Sequence, residues 1–105
     1  MTQKAFQDYY PDDVSHCYGC GRLNPKGLQI KSHWEGETSV CRFAPRPEHT
    51  AVPGFVYGGL IASLIDCHGT GTAAAAAYRA AVSGSTVAND FCFLPLPIKS
   101  LIGII

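Results

Sequence analysis

"PGFVYGGLIASLIDCHGTGTAAAAAYRAA", Pro53 to Ala81, decides how this chain folds. A Gly-Gly pair opens a long helix whose alanine-rich half is a strong helix former. At about 100° per residue, Leu60, Ile61, Leu64 and Ile65 share a stripe about 140° wide, with His68 inside it. That stripe is expected to grip the core. The opposite face carries Ala62, Ser63, Gly69, Thr70, Ala73 and Ala77 around a single acid, Asp66. A water-facing helix normally shows Lys, Glu or Gln there. A smooth face with one acid points instead to another backbone or a narrow ligand channel.

Upstream, "LQIKSHW" places Leu28, Ile30, Ser32 and Trp34 on one side of a strand at period two. "EGE" (35–37) is a glycine-containing turn and "TSVCRF" a second strand, so the pair reads as a β-hairpin. "APRPEHTAVPG" holds three prolines and is expected to be a loop. "HCYGCGRLNPKG" is a turn-rich loop. Residues 1–15 read as a polar lead-in with a short helix before Pro11. Downstream, "TVANDFCFL" is a strand candidate, and "LIGII" is an apolar end suggesting a sheet that stops before completion.

A chain of 105 residues builds one small domain. Apolar residues make up 47% and charged residues 15%, with mean hydropathy +0.08, so disorder is not expected and a buried partner surface is plausible. Eight basic residues balance eight acidic ones, which leaves no positive field for nucleic acid or an anionic membrane. Gly, Asp, His and Arg interrupt the apolar stretches, so no transmembrane span is expected. The polar start lacks a secretory apolar run, and the five cysteines are expected to stay reduced in the cytoplasm.

The helix start offers chemistry. Its first N–H groups have no partner within the helix, and the dipole adds partial positive charge. Gly58 or Gly59 can therefore supply an oxyanion donor, and Asp66 can activate water or attack as a nucleophile. Seven residues separate Gly59 from Asp66, about 10 Å along a helix. A donor and a base acting on one carbonyl must each lie about 3 Å from the reacting atoms. One helix cannot meet both demands; two helices packed antiparallel through the small-residue face can. The same residues also fit a tight glycine turn followed by a solvated helix acid.

Together, "CYGCGRLNPKGL", the hairpin and "PEHTAVPGFVYGGLIASLIDCHG" resemble the hotdog-fold acyl-CoA thioesterases, in particular the phenylacetate-pathway-type group. The resemblance covers about residues 15–80. It implies an α+β domain with an antiparallel sheet around one long central helix, acting on acyl-CoA as a homodimer or homotetramer. It makes Asp66 the catalytic carboxylate, and Gly58 and Gly59 the pair whose amide polarises the thioester carbonyl from the neighbouring subunit. His49 lies near where the family places an Asn or His that helps orient water or the carbonyl. Tyr57, Ser63 and Thr70 are the substrate-binding candidates. Coenzyme A belongs to the substrate, and no separate cofactor or metal is implied.

There are two departures. Tyr57 stands where the family has a histidine before its glycines. After the helix the family continues with long strands and a Ser or Thr near the acid; here Ser85 and Thr86 are the candidates, and truncation is expected. Arg46, Arg79 and Lys99 are available for CoA phosphates. Two other functions stay open: a non-catalytic hotdog fragment, and a hotdog dehydratase or hydratase.

Cys17 and Cys20 have the spacing of half a zinc site, for which His16, Cys67 and His68 are conceivable further ligands. A second close pair is missing, so a compact turn with buried thiols is the expectation. A thioredoxin-like role lacks its strand-then-helix frame. Cys67 is expected to be a packed core thiol, and His68 a hydrogen-bonded core histidine.

Overall fold

The computed structural model describes residues 4–83. Over these the chain is α+β: a two-stranded antiparallel sheet and one long helix. The strand candidate at "TVANDFCFL", the apolar end, Ser85, Thr86 and Lys99 lie outside the described residues.

Strand β1 spans Ser32–Glu35 and β2 spans Thr38–Cys41, with Ser32 opposite Cys41 and Glu35 opposite Thr38. Two residues join them, and Gly36 takes the first central position with φ +64°. A glycine there matches the type II′ turn, whose twist suits the right-handed twist of the strands. Arg42 clamps Glu35 beside the turn through two guanidinium hydrogen bonds.

The strand begins four residues later than the alternation predicts. Gln29 sits in the left-handed region at φ +58°, which breaks extended backbone. Its side chain holds the bend: Nε2 donates to the carbonyls of Gly21 and Asn24, each at 2.7 Å. The facial pattern survives the bend, because Leu28, Ile30 and Ser32 are all buried.

The N-terminal segment is not a polar lead-in. Phe6–Tyr9 forms a 3-10 turn, and Ala5, Phe6 and Gln7 are buried. The Phe6 ring packs 5.2 Å from that of Trp34. Gln7 completes a buried polar chain: its Oε1 accepts the Ser32 backbone N–H at 2.9 Å, and its Nε2 donates to the Ser32 hydroxyl at 3.3 Å. The hydroxyl in turn lies 2.9 Å from His68 Nδ1. Buried polar groups need partners, so these three residues fasten the first turn, the hairpin and the helix together. Gly71 makes room, since a Cβ there would crowd Gln7 Nε2 at 2.9 Å.

Helix α1 spans Gly58–Ser83. Its buried line is Leu60, Cys67, Gly71, Ala74 and Ala75, with Leu64 packed against the same core as Leu28 and Ile30. That line is rotated by about a sixth of a turn from the predicted stripe. The stripe's far half is correspondingly open, with Ile61 49% and Ile65 68% exposed. Small residues on the helix let the hairpin and the 3-10 turn come close, so the buried face runs through Cys, Gly and Ala rather than through the isoleucines. Thr72 fixes the second strand by donating to the Ser39 hydroxyl at 2.9 Å. Among the described residues, no helix is long and apolar enough to cross a membrane.

Candidate functional site

The loop before the helix sets the helix start. Val52–Phe55 closes as a turn, with Pro53 second and Gly54 third at φ +91°, the preferences of a type II turn. An antiparallel bridge between Thr50 and Val56 pinches the loop. His49 organises its base: the buried imidazole accepts the Arg46 N–H at Nδ1, 2.9 Å, and its carbonyl accepts the Tyr57 N–H at 3.1 Å. His49 thus stands beside the helix start, with Nδ1 already engaged. Its second nitrogen is the one left for chemistry.

Leu60 N–H donates to the Tyr57 carbonyl at 3.2 Å. Gly58 and Gly59 therefore carry the two foremost amides, for which the helix has no acceptor. They differ in access. A Cβ on Gly58 would meet open space, whereas one on Gly59 would overlap the Tyr57 ring, which lies across it. Tyr57 itself is exposed.

Two turns on, Asp66 is half-buried and takes the Thr70 hydroxyl at 3.5 Å, a long contact. Ser63 spends its hydroxyl proton on the Gly59 carbonyl at 2.8 Å, so only its oxygen lone pairs remain for a ligand. Ser63, Asp66 and Thr70 share one side of the helix, as the sequence reading has it. Within one chain the glycine amides and Asp66 stay about 10 Å apart along the axis. Val52 and Phe55 of the preceding loop and Ile61 and Ile65 of the helix are exposed.

Of the residues available for phosphate, Arg46 pairs with Glu48 at 2.8 Å near the helix start. Arg79 does not belong to that region. Its guanidinium stacks 4.1 Å over the Trp34 ring and reaches the Gly36 carbonyl and Glu37. It also lies about 30 Å along the helix from Gly58. There it borders a cavity of about 280 Å³ lined by Phe6, Tyr9, Trp34 and Tyr78.

The cysteine loop departs most from expectation. Cys17 is exposed rather than buried, and Cys67 reaches it from the helix, sulfur to sulfur at 3.9 Å. Cys20 joins them, with all three sulfurs within 4.8 Å of one another. His68 turns away to Ser32, as its place one residue along the helix demands. Hydrogen bonding with Cys20 and burial both push the Cys67 thiol well above its ordinary value. The sequence offers Cys67 as a conceivable partner of the CYGC pair and favours a compact turn instead; the approach of Cys67 depends on how the helix is rotated, which the sequence does not report.

Compared with known protein families, with curated proteins and with solved structures, the chain matches none.

Proposed function

We propose that this chain is a subunit of a hotdog-type acyl-CoA thioesterase, with composite sites shared between two copies. One observation carries the reading. Exposed Gly58 and Gly59, whose amides have no acceptor within the helix, and half-buried Asp66 belong to one helix, with the small residues Ala62, Ser63 and Gly69 on the Asp66 side. An antiparallel pairing of two such helices through the small-residue face of Ala62, Gly69 and Ala73 would set each helix start against the partner's Asp66.

In that arrangement the thioester carbonyl oxygen accepts a glycine N–H from one subunit. Asp66 of the other either takes a proton from an attacking water or attacks the carbonyl carbon itself. The tetrahedral intermediate then expels the CoA thiolate, leaving a free acid directly or an anhydride that water opens. Backbone donors at a helix start need no reorganisation as charge develops on the oxygen. Tyr57 over Gly59 and the Ser63 and Thr70 oxygens beside Asp66 would border the acyl group. A cytoplasmic location with reduced thiols goes with this reading.

The test is thiol release from short, medium and aromatic acyl-CoAs by the wild-type chain and Asp66→Asn. Turnover lost in the variant, with an unchanged cooperative melt, supports the site. A wild-type dimer that melts cooperatively and releases no thiol from any of them overturns it.

A further inference from the structure

The three gathered sulfurs come from two segments far apart in the chain, and the loop between Cys17 and Cys20 is built around the third. A Cβ on Gly19 would overlap the Cys67 sulfur, so only glycine lets the helix thiol enter the loop. A Cβ on Gly21 would overlap the backbone at Cys17 and His16, so the loop can turn this tightly only with glycine there as well. Backbone hydrogen bonds hold the loop in place: Gly21 N–H to Cys17 at 2.8 Å, Leu28 N–H to Tyr18 at 2.7 Å and Ile30 N–H to Gly19 at 2.9 Å. The cluster is therefore attached to Leu28 and Ile30 of the core, not to a free surface loop.

The Cys17–Cys67 spacing matches a metal's needs, and Cys20 lies within 4.8 Å of both. Tetrahedral zinc bonds thiolate sulfur at about 2.3 Å, which sets neighbouring sulfurs about 3.8 Å apart. Cys17 and Cys67 stand at 3.9 Å. Simple core packing would bury all three thiols, yet Cys17 is exposed.

We propose that Cys17, Cys20 and Cys67 form a three-thiolate site for a soft divalent cation of the zinc type, with the fourth position facing solvent on the Cys17 side. The three thiols each lose a proton to solvent as three metal–sulfur bonds form, so the dication becomes a centre of net charge −1, and no electron is transferred. A water, or an added thiol or imidazole, completes the tetrahedron. Because the metal ties the 17–20 loop to the middle of the helix, occupancy stabilises the folded chain. The site is independent of the Asp66 reading, whose residues lie on other elements or on another face of the helix.

The experiment titrates the fully reduced chain with Co2+ and then Zn2+. Expected are thiolate-to-cobalt charge-transfer and tetrahedral ligand-field bands that saturate at one equivalent, disappear on adding Zn2+, and accompany the release of about three protons. Cys17→Ser, on an exposed residue, is expected to lower affinity on the order of a hundredfold with its fold intact. Cys20→Ser is expected to do the same, while Cys41→Ser, which removes a thiol outside the triad, leaves binding unchanged. Bands that are absent, that are equal in Cys17→Ser, or that are lost in Cys41→Ser overturn the proposal.

Discussion

Cys17 and Cys67 are fifty positions apart in the chain, yet their sulfurs lie 3.9 Å apart. The contact exists because Gly19 has no side chain. Gly19→Ala is therefore expected to destabilise the fold by about 1–3 kcal/mol, the usual range for overpacking. Shortening the helix residue should relieve it, so Gly19→Ala with Cys67→Ala costs less than the two single changes summed. Urea unfolding of the four proteins measures the coupling; strict additivity would show that the contact is not what excludes alanine.

The Gln7–Ser32–His68 chain gives a second outcome. Gln7→Leu keeps the volume but strands the buried Ser32 N–H. The expected loss is about 2 kcal/mol in urea unfolding, within the range for an unsatisfied buried polar group. An unchanged midpoint would mean that the N-terminal turn is not docked on the hairpin.

Asp8 carries a pH dependence. Its partial burial would raise the carboxyl's pKa, but the Lys31 ammonium at 2.8 Å, the Ala5 N–H and the Lys4 charge outweigh that and hold it below the ordinary aspartate value of 3.8. A lowered folded value means stability present above 3.8 and lost as pH falls from there through the folded value. Asp8→Asn should therefore cost about 1 kcal/mol at neutral pH and remove part of the acid-side slope. Melting curves from pH 6 downward, with slopes that do not differ between the two proteins, would refute this.

The small-residue face of the helix bears on assembly. If the helices pair through the face of Ala62, Gly69 and Ala73, Gly69→Arg, whose Cβ meets open space in a single copy, places a large charged side chain in that contact. Light scattering should then show a wild-type dimer and a monomeric variant with the same far-ultraviolet dichroism. A variant that stays dimeric would place the contact elsewhere.

Much of this architecture could be read directly from residues. The Gly36 turn, the proline-rich loop before the helix and the Gly58 helix start each follow from a local backbone preference, though the sequence reading names only a loop where Pro53 and Gly54 form a type II turn. Long-range choices could not be read this way. Gln29 bends the chain because two carbonyls reach its amide from another loop, and no pattern within "LQIKSHW" reports that. The helix rotation was likewise hidden: large apolar residues set the predicted stripe, whereas close approach selected Cys67, Gly71 and Ala74. That rotation exposes Ile61 and Ile65 and brings Cys67 to the CYGC loop. The spacing of Gly58, Gly59 and Asp66 was legible because a helix fixes it.

The most direct measurement is subunit mixing. Asp66→Asn removes the carboxylate, and Gly59→Pro removes an amide donor in the first turn, where proline breaks no intrahelical bond. Gly58→Pro, whose Cβ meets open space, replaces it if the Tyr57 ring prevents folding. Each variant alone should release no thiol from acyl-CoA. After exchange at equal concentrations, half the dimers are mixed and each holds one intact composite site, so activity should return to about a quarter of wild type. A mixture that exchanges subunits and stays as inactive as its parents would contradict a site shared between Asp66 and the partner's glycines.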